Sequence, residues 1–179
     1  MNDKVRYLMK EWVEPIVIAV ILALIIRTFV VQAFKIPTGS MRPTLIEGDR
    51  ILVSKFIYKF REPKRGEVIV FISPEDKKKD FIKRLIGLPN EKVKILNGAV
   101  LINDNALSED ALLKRQYYNR GDFGREGQSV TVPNDAYFVL GDNSNSSRDS
   151  RYWGFMPKKH LLGRAFLIYW PPNRIRIIK

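Results

Sequence analysis

Few side chains in this 179-residue chain are suited to attacking or activating a carbonyl. There is no cysteine, which removes thiol nucleophiles, thiolate metal sites and disulfides. A single histidine, His160, makes a multi-histidine zinc site impossible, and no metal or cofactor is expected. His160 lies in Lys158-Lys159-His160-Leu161, a surface-turn pattern ahead of an apolar strand, and is not expected to act as a base. Hydroxyls, carboxylates and lysines remain. Ser40 is the hydroxyl with unusual surroundings, in Pro37-Thr38-Gly39-Ser40-Met41-Arg42-Pro43-Thr44-Leu45. The two prolines fix φ and push the residues before them toward extended geometry, so this stretch cannot be a regular helix. Gly39 lets a backbone or a substrate come close to Ser40, and Thr38 offers a second hydroxyl two residues earlier. Taken alone, the stretch reads equally as a linker and as a turn that presents a nucleophile.

A serine attacks an amide only when a neighbouring group takes its proton. Lys83, in Phe81-Ile82-Lys83-Arg84-Leu85-Ile86-Gly87-Leu88-Pro89, has surroundings that suit a neutral amine. In an alternating strand it shares a face with Phe81 and Leu85, while Ile82, Arg84 and Ile86 take the other face. Burial among apolar side chains disfavours the ammonium form and lowers a lysine pKa. Two readings of Lys83 stand at this level: a buried base, and a lysine at a strand edge that reaches water. A third polar cluster follows at Gly141-Asp142-Asn143-Ser144-Asn145-Ser146-Ser147-Arg148-Asp149-Ser150-Arg151.

The elements that must position these groups fall into two parts. Ile16 to Ile26 is an unbroken apolar run, and Phe29-Val30-Val31 resumes it after Arg27-Thr28. Trp12 to Gln32 would span about 31 Å as a helix, matching a bilayer core of ~30 Å. That predicts a tail over 1–11, a transmembrane anchor over 12–32 and a β domain over 33–179. Arg27 would sit near the outer end, reaching the headgroups, and Pro15 would fall in the first helical turn. A cleaved signal peptide is the rival, with Lys4, Arg6 and Lys10 as its basic region. Basic residues in the short tail place it inside and the β domain outside.

From Arg50 onward the pattern is β. Ile51–Val53, Val68–Phe71, Val93–Ile95, Val100–Ile102, Tyr137–Leu140 and Ala165–Tyr169 are short runs rich in β-branched and aromatic residues. Asn97-Gly98 predicts a type I′ hairpin turn. Ser108 to Lys114 has a weak helical pattern, and Tyr117 to Gln128 reads as a surface loop. The fold class is mainly β: an N-terminal transmembrane helix, then an antiparallel, barrel-like or sandwich domain. Of the net charge of +12, +10 lies beyond residue 35, scattered in small basic clusters. Without a recognition helix, zinc finger or RNA-binding aromatic box, that charge suits an anionic membrane surface, or a merely solvated basic face, rather than nucleic acid.

The serine, lysine and Gly-Asp-Asn segments, in that order, resemble the boxes of the type I signal peptidases. The resemblance runs from about Trp12 to Trp170. It implies Ser40 as nucleophile, Lys83 as general base, and Thr38 with the Ser40 backbone N–H as the oxyanion hole. It further implies Ser147 as the hydroxyl that orients the lysine, with Ser144 and Ser146 as rivals. Asp142, Asn143, Asp149 and Arg151 would support the site. Phe34, Ile36, Pro37, Met41, Leu45, Phe81 and Ile82 would form pockets for small residues one and three positions before the scissile bond. The chain departs from the usual pattern at Ser144-Asn145, where Arg-Asp is common, and at Asn90-Glu91, where Gly-Asp is common. The implied function is removal of signal peptides from exported preproteins by a single-pass, monomeric enzyme of the bacterial cell membrane. Alternatives are an organellar inner-membrane peptidase and a non-catalytic, membrane-tethered basic β module that binds an acidic polymer or partner.

Overall fold

The computed structural model describes residues 9–25, 31–107 and 115–178. A π-helical turn, Met9–Val13, leads into helix α1, Glu14–Ile25. Apolar side chains project from α1 on every side and are exposed, among them Ile16, Val17, Ile21 and Leu24. At 12 residues α1 is about 18 Å long, and no helix among the described residues is long and apolar enough to cross a membrane. The expected anchor ends differently: Val31 and Gln32 belong to a strand, β1, Val31–Lys35. Val31-Gln32-Ala33 can pair because β2 lies beside it, which a hydropathy count does not register. Arg27 and the weak helix over Ser108 to Lys114 lie outside the described residues.

The remaining strands are β2 (Arg50–Ser54), β3 (Val68–Ile72), β4 (Asp80–Gly87), β5 (Lys92–Leu96), β6 (Ala99–Ile102), β7 (Asn105–Ala106), β8 (Ser129–Thr131), β9 (Ala136–Leu140), β10 (Met156–Pro157), β11 (Leu161–Trp170) and β12 (Arg176–Ile177). They form two antiparallel sheets, one ordered β1-β2-β11-β3-β4-β9-β10 with β12 on β11, the other β7-β6-β5-β8. Every strand expected from the sequence is present. The turn at Asn97-Gly98 has φ of 50° and 80°, the left-handed pair that a type I′ turn requires.

β3 explains how the large sheet is held. Val68 and Val70 enter a core with Ile36, Met41, Leu45, Ile51, Val53 and Ile168, while Ile69 and Phe71 enter another with Leu85, Tyr137, Val139 and Met156. A strand buried on both faces reads as a continuous apolar run, as Val-Ile-Val-Phe-Ile does. A third core joins the small sheet to β9 through Ile86, Val93, Ile95, Phe138 and Leu140. Tyr117 belongs to that core and is buried, so the stretch from Tyr117 to Gln128 is not wholly a surface loop. Its polar composition hides Tyr117 and Phe123, which anchor it from below.

Candidate active site

Ser40 lies in a single 3-10 turn, Gly39–Met41, which follows β1 after the extended Thr38. The turn is fastened from beneath by Met41 and Leu45, both fully buried, and from the side by Asn143. Asn143 donates its side-chain amide to the Gly39 carbonyl (3.0 Å) and its backbone N–H to the Ser40 carbonyl (3.0 Å). Gly141 is required here. A Cβ on it would meet Ser147 Oγ at 2.1 Å and the Ser40 carbonyl oxygen at 2.6 Å. The Gly-Asp-Asn segment therefore works by close approach and backbone hydrogen bonding.

Lys83 arrives from β4. The registers Ile69–Lys83 and Phe71–Phe81 put it on the face it shares with Phe81 and Leu85, as alternation predicts. Its amine is 5.5 Å from the centre of the Phe81 ring, and the residue is only 5% exposed. Lys83 Nζ lies 2.8 Å from Ser40 Oγ and donates to the Ile82 carbonyl at 3.1 Å. Burial pulls the amine pKa down from 10.5 to about 8, against the opposing pull of the Asp149 and Asp142 carboxylates, while the Arg151 guanidinium adds to the lowering. Near pH 8 about half of the amines are then neutral and able to accept the serine proton. The strand-edge reading of Lys83 does not match this burial.

The expected hydrogen bond from Ser147 to Lys83 is not formed. Ser147 Oγ is buried without a hydrogen-bond partner, and the Ile82 carbonyl takes that place on the amine. Of its rivals, Ser146 is exposed, and Ser144 Oγ is held by Arg151 (2.6 Å) and the Tyr118 N–H (2.8 Å). Asp149 and Arg151 form a fully buried pair (2.8 Å) that fixes this loop. Asp149 also accepts from the Gly141 N–H, and Arg151 from its other side donates to the Ser144 and Ser147 carbonyls.

Arg84, next to Lys83 and on the opposite face, is buried and grips Asp142 through two bonds, 2.7 and 2.6 Å. Thr44 and Arg115 also engage Asp142. Sequence reasoning assigned Asp142 to the site but passed over Arg84, Thr44, Arg115 and Gly141. An arginine on a strand face flanked by Ile82 and Ile86 was the available signal, since a buried guanidinium demands a carboxylate.

A cleft of about 540 Å³ opens over the pair, lined by Pro37, Thr38, Ser40, Phe81, Ile82 and Lys83, with Lys79, Asp80, Ser146 and Arg148 at its rim. Of the expected pocket residues, Pro37, Phe81 and Ile82 face this cleft. Ile36, Met41 and Leu45 do not: they are buried in the core under the serine turn, and Phe34 packs against the same core. Thr38 is exposed at the cleft and makes no capping hydrogen bond. His160 sits in the turn before β11 and does not line the cleft. Among the described residues, no group of three or more His, Cys, Asp or Glu could hold a metal ion.

Residues 9–170 match the family described as signal peptidase, peptidase S26. The chain belongs to that family. A probable signal peptidase I-2 from Synechocystis is 45% identical over 176 residues, spanning 93% of this chain and 77% of the relative. A signal peptidase I from Leptolyngbya laminosa is 43% identical over 172 residues, 92% of this chain and 81% of its own. The crystal structure of a signal peptidase I from Enterococcus faecalis V583 aligns at 37% identity and a TM-score of 0.46, covering 58% of this chain and 97% of that one. Within the signal peptidase family assignment, the match takes in Ser40, Lys83 and the whole Gly-Asp-Asn segment.

Proposed function

We propose that Ser40 and Lys83 form the catalytic dyad of a membrane-bound serine endopeptidase that removes signal peptides from exported preproteins. The observation that carries this reading is the 2.8 Å contact between Lys83 Nζ and Ser40 Oγ at a buried site open to a cleft. A neutral Lys83 takes the hydroxyl proton as Ser40 Oγ attacks the scissile carbonyl. The Thr38 hydroxyl and the Ser40 N–H stabilise the oxyanion. The ammonium then returns its proton to the leaving amine, and water hydrolyses the ester with Lys83 again as base.

Residues 80–83 of β4 pair with β3 on one side and, among the described residues, with no strand on the other. An extended peptide can add there as a strand, with alternate side chains entering the cleft. Pro37, Phe81 and Ile82 offer small apolar contacts, which suits small residues one and three positions before the cut. Asp142, Asn143, Asp149 and Arg151 hold the serine turn and its neighbouring loop. The apolar stretch that begins at Trp12 and takes in Ile16 to Ile26 and Phe29-Val30, short of the expected Gln32 because Val31 and Gln32 belong to β1, anchors the chain in a bacterial cell membrane, with its basic tail inside and the β domain outside as a monomer. A helix apolar all round suits lipid contact on every side.

The test is incubation of the detergent-solubilised protein with a preprotein, followed by mass spectrometry of the cut site. Cleavage after a small residue, lost in Ser40→Ala and in Lys83→Arg, is the expected result. Guanidinium stays protonated and cannot accept the serine proton. Activity retained in Lys83→Arg but lost in His160→Ala would assign the base elsewhere.

A further inference from the structure

Two ion pairs connect β4, which carries Lys83, and the turn before it to the loop that carries Ser147. Arg84–Asp142 is fully buried, and Glu75–Arg148 lies exposed at the rim of the cleft. The rim pair joins residues 73 positions apart, with Arg148 Nε at 3.0 and 2.8 Å from the two Glu75 oxygens and Nη2 completing the fork. Arg148 itself lines the cleft. We propose that Glu75–Arg148 is a positioning pair that straps the two walls of the catalytic cleft together and sets its width for the substrate; the inference rests on the Ser40–Lys83 reading above.

Both ends of the strap are braced independently of it. Ser73, fully buried, accepts the N–H groups of Glu75 and Asp76 (3.2 Å each), and its own N–H donates to the Lys79 carbonyl (2.9 Å). The turn between β3 and β4 therefore keeps its shape when the pair is cut. On the other wall, Asp149, the residue after Arg148, is held by Arg151 and the Gly141 N–H, so the loop cannot unravel beyond it. The Arg148 guanidinium also lies over the Tyr152 ring, 5.5 Å from its centre, which aims the fork at Glu75. The strap adds a tie at Arg148 to the segment Asn145 to Arg148, which Arg120 also holds at Asn145 and Arg151 at the Ser147 carbonyl, and which brings Ser146 to the rim. Arg148 holds the Glu75 carboxyl below the usual carboxylate range, so the pair stays ionised at neutral pH.

The pair is exposed, with 65% of the Arg148 side chain in solvent. Exposed pairs contribute little to global stability and are screened by salt. A strap of this kind changes substrate binding without changing the melting temperature. With the full chain in detergent and a soluble peptide carrying small residues at −1 and −3, Glu75→Gln and Arg148→Ala should each raise KM about three- to fivefold, the ceiling for one exposed ion pair. Turnover and melting temperature should stay close to wild type. Raising salt from about 0.05 to about 0.5 M should move the wild-type KM toward the variants and leave theirs in place. The reversed pair, Glu75→Arg with Arg148→Glu, should recover about half of the loss. Unchanged KM in both single variants, or a reversed pair no better than either, overturns the strap. Ser40→Ala, run alongside, separates the two claims: if it cleaves, the dyad reading falls, and if it is inert while the strap variants behave as wild type, the strap falls alone.

Discussion

Replacing Lys83 by methionine, apolar and of similar length, should stabilise the protein at neutral pH and destabilise it at alkaline pH. The folded-state pKa of about 8 lies below the ordinary 10.5, so the unfolded chain binds this proton more readily than the native one. At about 1.36 kcal/mol per pH unit, the penalty is about 3 kcal/mol, fully present below pH ~8. It fades as pH rises between the two values and falls below ~1 kcal/mol at pH ~10. Against it stand the two hydrogen bonds of the amine, to Ser40 Oγ and the Ile82 carbonyl, worth about 1 kcal/mol each. The balance favours Lys83→Met by about 1 kcal/mol at pH ~7, a rise of roughly 2–4 °C in melting temperature for a chain of this size. At pH ~10 the balance reverses, and the variant should melt below wild type. Calorimetry of both proteins at the two pH values reads this directly, because titration of the other lysines cancels in the difference. With this amine as the base, cleavage should rise with pH through about 8. A variant that melts lower at neutral pH would show that Lys83 is a charged, stabilising residue, and the neutral-base mechanism would have to be abandoned.

Two further outcomes test the machinery around the dyad. Thr38→Val should lower turnover by roughly 10²–10³-fold while Thr38→Ser is tolerated, as expected when one oxyanion donor is lost; a wild-type rate for Thr38→Val in the peptide assay removes Thr38 from the mechanism. Asp142→Ala takes away the buried carboxylate that Arg84 grips and should cost about 3–5 kcal/mol in urea unfolding, the usual result of breaking a buried pair from one side. A change under ~1 kcal/mol would mean that water reaches Arg84 and that the pair does not support the serine turn.

The residues themselves revealed as much of this fold as local physics controls. Alternation in Phe81-Ile82-Lys83-Arg84-Leu85 assigned Lys83 to the apolar face, and the register with Ile69 and Phe71 agrees. Asn97-Gly98 specified a turn because two successive left-handed residues are needed there and few side chains tolerate them. Val31 to Lys35 was not legible as a strand. Its residues continue an apolar run, and only pairing with Ser54 to Arg50, distant in sequence, selects extended backbone over helix. Tyr117 was hidden for a similar reason, since one aromatic among glycines and charges has no period that marks it as buried.

The candidate site divides along the same line. Composition left carboxylates and lysines as candidate bases, the strand pattern gave Lys83 its apolar face, and the family resemblance singled it out, but no local pattern says what lies across from it. That depends on Asn143 holding Gly39 and Ser40 by two hydrogen bonds, and on Gly141 leaving room for Ser147 and the Ser40 carbonyl at once. The pocket assignments of Ile36, Met41 and Leu45 fail at the same step. Ile36, Met41 and Leu45 have the right chemistry for a substrate pocket, and that chemistry equally suits a core. The serine turn settles the choice: Ser40 faces the cleft only because Met41 on its other side is driven into the interior beside Leu45. An apolar residue next to a nucleophile is therefore first an anchor for the turn, and becomes a substrate contact only where, as at Phe81 and Ile82, the strand edge beside it is left open.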